Sequence, residues 1–583
     1  MSTLAPSLAP AASGTPASAA GRAVRSEAGV YAVGLAVVLV LALPLRLWGI
    51  HAPFESSDQA EMANLVLFSG GVRWIFAHAY GPVLAILAKV WAEAAVRLGW
   101  PLTESVFRSL TTLLDLAQVL VTWPLMRRLG CTRRQALAGM VCCAVLPAMV
   151  SNAHFAWSHM SAWLLTGAVA LWATLAYCED RRRWQLVLAG GALTAHCLSS
   201  AIAFGLPMTL LVVWIARWRR RAEQAKPVGA RVYGWEFVVG FVLPCLAALA
   251  IIFGSWLWTG GGQLGHLIAK FSAGHGGWRW GQIVRLPGMW IDLFGYLFGV
   301  IAAAGLLHAT CSWRTSRTAD RRGLLAMWAW SSLVPFMLVA DWDHIGYVGG
   351  YVIETVYCAA LLGMLLACEL YGRLARRPRL RAATAAVSVL AVGHLAFGAI
   401  DACLAGGRWS ALTGVSVPWG TLRPDTGIKA AGWYVRRHVP PDVIVMSLHN
   451  NKGMEAPVAA VYTGRHVLAG YDLPDRSLDE LVTMMEADVD VVIVPAENWS
   501  LVERLAGFER VCTIRRDSWP VRFVCARAAL HLARVDADTD AMNRRYDDLP
   551  TPERLPTALA CPAAFPAAMG KYKTVVAQLR RLP

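Results

Sequence analysis

The chain has 583 residues, of which 56% are hydrophobic and only 16% charged. A soluble globular protein carries about 25% charged residues, so the deficit excludes an ordinary soluble domain and predicts a polytopic α-helical membrane protein. The formal net charge is +16, but the basic residues fall in short clusters between apolar runs, which assigns them to membrane topology and not to a nucleic-acid partner.

Residues 1–28 are rich in Ala, Ser, Pro and Gly and read as a disordered cytoplasmic tail. The first apolar run, 29–49, is too long and too far from the start for a secretory signal, so it reads as a retained span. Directly after it comes Phe54-Glu-Ser-Ser-Asp58-Gln-Ala-Glu61-Met62. Carboxylates at a bilayer surface are costly unless solvated, paired or useful, which makes Asp58 and Glu61 the opening of a candidate site. The segment that follows holds Trp74, His78, Tyr80, Pro82 and Trp91. Its apolar spacing through Val83, Ile86, Leu87 and Val90 predicts helices lying in the interface plane.

Further apolar segments fall near 105–126, 134–150, 157–177, 184–199, 200–216, 234–258, 287–309, 323–340, 350–371 and 381–403, about eleven spans in all. Arginine clusters at 127–134, 181–183, 217–221, 314–322 and 373–379 all land on one side if the spans alternate. The positive-inside rule makes that side the cytoplasm. The N-terminus is then cytoplasmic, and 50–104, 259–286, 341–349 and everything from 404 onward face outward.

From about 424 the pattern changes. Gly427 to Arg437 predicts an amphipathic helix, and Ser477 to Ala487 another. Val443 to Met446, Ala459 to Tyr462 and Val489 to Val494 read as strands. Residues 404–535 are therefore expected to form an extracytoplasmic α/β domain that acts as a lid or docking unit, with 536–583 an irregular tail. Cys512 and Cys525 flank a hairpin around Asp517–Pro520, where a cross-strand disulfide is an open option.

This layout resembles the GT-C superfamily of membrane glycosyltransferases, in the branch of the protein O-mannosyltransferases and the bacterial transferase that adds aminoarabinose to lipid A. Three features carry the resemblance: Asp58-Gln59-Ala60-Glu61 after the first span, Ala77-His78-Ala79-Tyr80-Gly81-Pro82 before the interfacial helix, and Arg108 at the start of the second span. The family motif is usually Asp-Glu, so the second acid is displaced here by two positions. The resemblance implies a multi-pass enzyme of a bacterial inner (plasma) membrane. It implies transfer of a sugar from a polyprenyl-phosphate donor to an outer acceptor, a glycolipid or cell-surface polysaccharide. The competing reading is a transporter or flippase of a lipid-linked sugar, although no internal repeat is visible.

A glycosyl phosphate already carries a good leaving group. Inverting displacement then needs one general base and positive charge for the departing phosphate. Asp58 takes the family position of the base; its alternative is a helix N-cap. Glu61 shares a helical face with it and is open to acceptor binding, base orientation, metal holding or a first-turn dipole role. No cofactor is required, and a divalent metal held by Asp58, Glu61 and a histidine stays an option. For the phosphate, the glycine-rich outward loop 261–285 offers Lys270, Arg279 and Arg285, with lipid headgroup anchoring as their alternative. His78, Tyr80 and Arg108 follow from the family pattern. Asp343, His344 and Tyr347 suit a sugar, whose hydroxyls bind carboxylates and whose apolar face covers aromatic rings.

Overall fold

The structure is a computed structural model. It describes residues 29–545 except 30, 37, 55–59, 61, 64–65, 68–74, 77, 79–80, 157–158, 201–202, 204, 223–233, 273–279, 316–321, 340–351, 375–376, 405–407, 417–425, 449–455, 466 and 470–477. Five of the described helices are long and apolar enough to cross a membrane: Glu104–Arg128, His159–Asp180, Gly234–Thr259, Ile353–Arg373 and Pro378–Ala402. Two bent pairs raise the number to as many as seven if each is one crossing. Several other expected spans also fold as helices, among them Arg183–Cys197, Gly205–Ala222 and Arg322–Val339. The protein is a multi-pass helical membrane protein, and eleven crossings remain an expectation.

Both bends have local causes. The first, 51°, separates Arg133–Val145 from Pro147–His154. Pro147 has no N–H, so the carbonyl of Cys143 loses its donor one turn on. Arg46 supplies replacements, donating to Ala144 O (2.7 Å) and Cys143 O (3.3 Å). Its charge is neutralised by Asp115 at 2.5 Å, and both side chains are buried. The second bend, 116°, breaks the stretch expected as one span at 287–309. Helix Trp280–Phe294 ends at Gly295, whose φ is +71°, and Tyr296–Thr315 sets off in a new direction. A Cβ at Gly295 would lie 2.6 Å from Thr413 O, so a glycine is needed there for both conformation and space.

Tyr296–Thr315 crosses Ile353–Arg373 at Gly305 and Gly363. A Cβ on Gly305 would stand 2.4 Å from the Gly363 nitrogen, so the crossing depends on small residues, as membrane helix contacts commonly do. Helix Pro82–Arg97 forms in the segment expected to be helical, but it presents a different face to the protein. It buries Leu84, Ala85, Ala88, Ala92 and Ala95, while Ile86 and Val90 are exposed. The small side chains face the protein because they allow close packing.

Ion pairs gather the arginine-rich ends. Arg128 meets Glu179 and Asp180 at 2.5 Å each, Arg181 meets Glu236 at 2.7 Å, and Arg217 meets Glu236 at 3.4 Å. The opposite end of helix Glu104–Arg128 carries the C-terminal domain, where Lys429 pairs with Glu104 at 2.9 Å.

That domain is a mixed six-stranded sheet: β1 Val445–Ser447, β2 Val467–Ala469, β3 Val491–Pro495, β4 Phe508–Arg516, β5 Trp519–Arg527 and β6 Val535–Asp538. The order is β2-β1-β3-β5-β4-β6, with β2-β1-β3 and β4-β6 parallel and the remaining pairs antiparallel. Strand β6 and helix Thr539–Arg545 extend the ordered fold past the expected boundary at 535.

One sequence expectation is corrected here, and one open option is decided. Ala459–Tyr462 is not a strand but lies in helix Ala456–Thr463. A short apolar run cannot be told from a buried helix by periodicity alone, and here Gly432 of helix Ile428–His438 lets the two helices touch. Cys512 and Cys525 are both free and buried. The turn centres on Asp517 and Ser518, both with positive φ, and a bulge shifts the register so that Cys512 faces Val524 and Cys525 faces Arg510. The one-residue slip puts the thiols on opposite faces of the sheet.

Candidate functional site

Asp58, Glu61, Tyr80, Arg279, Asp343, His344 and Tyr347 lie outside the described residues. Lys270 belongs to helix Gly262–Ser272, but its side chain lies outside the described part. His78, Arg108 and Arg285 are described, and so is the chain leading into Asp58.

Arg108 is almost fully buried. Its Nε donates to His154 O (2.9 Å), Nη1 to Ile50 O (3.1 Å) and to Ala52 O, and Nη2 to Pro53 O (3.1 Å). The guanidinium also lies 5.3 Å from the Phe54 ring centre. Sequence reasoning placed Arg108 among substrate ligands. In the structure these donors hold the backbone of residues 50–53, which a rigid planar fork suits.

The next residue is held from the other side. The Phe54 N–H donates to Tyr462 Oη (2.7 Å), and the Tyr462 hydroxyl donates to Glu104 Oε1 (2.8 Å). Lys429 completes the group on the same oxygen. Burial, with the nearby Glu104 charge adding to it, pushes the Tyr462 phenol well above its usual range. It therefore stays a neutral hydroxyl that accepts from Phe54 and donates to Glu104.

His78 is buried, and its carbonyl accepts from the Gly81 N–H (3.1 Å). Gly81 has φ +94°, and a Cβ there would collide with Leu198 O at 2.0 Å and Gln263 Nε2 at 2.7 Å. A Cβ on Gly262 would reach Phe76 O at 2.8 Å. The structure thus joins the His78 segment to the start of helix Gly262–Ser272, which replaces the first part of the expected glycine-rich loop. Arg285 is exposed on helix Trp280–Phe294. The same helix contributes Leu286 and Trp290 to an apolar cavity of about 630 Å³, lined also by Val300, Leu307, Trp330 and Val356 among others. Among the described residues no group of His, Cys, Asp or Glu is arranged to hold a metal.

Sequence reasoning missed Glu104, Lys429, Tyr462, Arg46 and Asp115. One signal was available. Glu104, Arg108, Thr111, Asp115, Gln118 and Thr122 recur at helical spacing within the second span, and all are buried. That is a polar stripe facing the bundle interior, where intramembrane ionisable residues are almost always found. Lys429 gave a weaker hint, as a charge among the buried residues Ile428 to Val435.

No protein-family model matches the sequence, and no curated protein is similar to it in sequence. Solved structures are similar. The oligosaccharyltransferase of Archaeoglobus fulgidus in its apo form aligns over 81% of this chain and 70% of its own, with 12% identity and a TM-score of 0.52. The same archaeal enzyme, AglB, in complex with an inhibitory peptide and a dolichol-phosphate, aligns over 81% and 71% with 12% identity and a TM-score of 0.51. ArnT from Cupriavidus metallidurans aligns over 85% and 98% with 14% identity and a TM-score of 0.49. The chain has the fold of the GT-C membrane glycosyltransferases.

Proposed function

We propose that this protein is an inverting glycosyltransferase that moves a sugar from a polyprenyl-phosphate donor to an extracytoplasmic glycolipid or cell-surface polysaccharide. The fold carries the reading: its likeness to an oligosaccharyltransferase runs over 81% of the chain. Donor class is supported by the relative that holds a dolichol-phosphate. An apolar cavity of about 630 Å³, whose lining begins at Leu286, suits an isoprenoid chain.

In this mechanism Asp58 removes the proton from an acceptor hydroxyl as the oxygen attacks the anomeric carbon. The new C–O bond forms on the face opposite the breaking bond to phosphate oxygen, and polyprenyl phosphate leaves. Lys270, Arg279 and Arg285 balance its charge. Glu61 orients the base or the acceptor, while Asp343, His344 and Tyr347 hold the sugar. His78 and Tyr80 line the approach. The base needs an outward-facing site, because nucleotide sugars are cytoplasmic whereas a lipid-linked donor can be presented outside.

Purified protein given labelled polyprenyl-phosphate sugars and envelope acceptors tests this. Asp58→Asn is expected to lower transfer by about 10²–10⁴-fold, the usual contribution of a general base. Undiminished transfer would remove Asp58 from that role. Donor translocation into vesicles with no transfer would favour a flippase.

A further inference from the structure

We infer that Tyr462, in the C-terminal domain, is a positioning residue for the acidic segment, so that this domain is a working part of the catalytic centre and not a detached lid. The inference rests on the reading of Asp58 as base.

The argument starts from the backbone. Between the end of the first helix at Leu47 and Phe54 the chain forms only local turns, Ile50 N–H to Leu47 O and Ala52 N–H to Gly49 O. Pro53 has no N–H to offer. Side chains take four more of its polar groups: the carbonyls of Ile50, Ala52 and Pro53 go to Arg108, and the N–H of Phe54 to Tyr462. Phe54 and Tyr462 are both 0% exposed, so water cannot substitute for either partner. Asp58 follows four residues later in the chain.

The tyrosine hydrogen bonds have only one direction. An amide N–H can only donate, so the Tyr462 oxygen accepts from Phe54 and its own proton goes to Glu104. Glu104 Oε1 is then the acceptor, and Lys429 Nζ stands 2.9 Å from the same oxygen. Three residues from two parts of the molecule thus fix one amide. The aromatic contacts reinforce this: the Phe54 ring lies 6.3 Å from both the Phe107 and Tyr462 rings. A single apolar cluster runs from Phe54, Leu84 and Phe107 through Tyr434 and Tyr462 to Val491 and Val524 of the sheet. The sheet and helix Pro82–Arg97 therefore share one core, and a shift of the domain would be felt at Phe54.

A plain docking role would produce the same contacts, so the test compares Tyr462→Phe with Val494→Ala. Val494 is buried on the other face of the sheet, in a separate cluster, and touches none of these groups. Full-length protein in detergent is followed by amide hydrogen exchange of the peptide containing Phe54, by melting temperature, and by kcat and donor KM for sugar transfer. Tyr462→Phe is expected to speed exchange at Phe54 by about fivefold to tenfold, the loss of one buried hydrogen bond. It is expected to lower kcat by about as much and to leave donor KM within about twofold. Val494→Ala is expected to melt lower while leaving exchange at Phe54 and kcat unchanged. Native exchange at Phe54 in Tyr462→Phe overturns the inference, as does Val494→Ala reproducing both effects. Faster exchange with unchanged transfer overturns it too, if Asp58→Asn is inactive. Should the native protein transfer no sugar, or Asp58→Asn stay active, the functional reading falls by itself. The exchange comparison then decides whether Tyr462 holds the segment: faster exchange confined to Tyr462→Phe supports it, and a native rate overturns it.

Discussion

Asp115 can be made to help or harm the fold depending on Arg46. Arg46 is 0% exposed, donates to Ala42 O, Ala144 O and Cys143 O, and pairs with Asp115. Breaking a buried pair from one side leaves a naked charge, at about 3–5 kcal/mol. Asp115→Leu alone should therefore be strongly destabilising. Arg46→Met alone should be worse, since it also orphans the carbonyls of Cys143 and Ala144 at the Pro147 break, at roughly 1–3 kcal/mol each. In the double variant both charges are gone and only the carbonyls remain unpaired. Adding Asp115→Leu to Arg46→Met should then restore about 3 kcal/mol, the upper end of couplings between touching residues. At about 2–4 °C per kcal/mol for a domain of 150–250 residues, and less for a larger body, the recovery is on the order of 5 °C. Thermal unfolding of the full-length protein in detergent, read by the fluorescence of its 26 tryptophans, measures all three variants. If Asp115→Leu lowers the midpoint further in the Arg46→Met background, the pair is not coupled and the account of the helix break is wrong.

Arg108→Lys keeps the charge but loses the fork that reaches Ile50, Ala52, Pro53 and His154. At least one buried carbonyl is then unmet, for about 1–3 kcal/mol, so a lower melting temperature and faster amide exchange between 50 and 54 are expected; native values for both would show that the clamp carries no weight. Gly432→Ala places a Cβ 2.3 Å from that of Tyr462, forcing the two helices apart at about 1–3 kcal/mol. A variant that melts like the native protein would contradict that contact. Burial pushes the Cys512 and Cys525 thiols up to about 12. At pH 8 the thiolate is then scarce, on the order of 10⁻⁴ of the total, and reactivity rises as pH climbs toward that value. Iodoacetamide should leave both cysteines unmodified in the native protein and label both after denaturation, with mass spectrometry as the readout and an intact disulfide as the contrary result.

What was legible in the sequence was whatever depended on composition and long periodicity. Long apolar helices, a helix at Pro82 and a C-terminal α/β unit all follow from such patterns. Where a tertiary contact decides, the pattern is silent. Ala459–Tyr462 has strand-like composition, yet Gly432 accepts it as a helix. The break at Gly295 depends on Thr413 and His394, more than 90 residues away. The hairpin bulge that separates Cys512 from Cys525 leaves no mark in the spacing of the two cysteines. Of the candidate site, the sequence drew attention to Arg108 on helix Glu104–Arg128, but Arg108 looked like a ligand because its backbone partners are invisible in a sequence.

The polar stripe on helix Glu104–Arg128 connects these observations. Its charges alternate in sign, Glu104, Arg108 and Asp115, and each is satisfied by a different part of the molecule. Lys429 answers Glu104 from the C-terminal domain, the carbonyls of Ile50, Ala52 and Pro53 answer Arg108 from the turn after the first helix, and Arg46 answers Asp115 from the first helix itself. Thr111 donates to Ala153 O (2.9 Å) and Thr122 shares a hydrogen bond with Tyr357 (3.0 Å), which adds the bent helix and the central helix to the same face. Because unpaired charges are so costly in a low-dielectric interior, each partner is confined to one position along that helix. The first helix, the backbone of residues 50–53 and the C-terminal domain are thereby set in register on one rigid ruler.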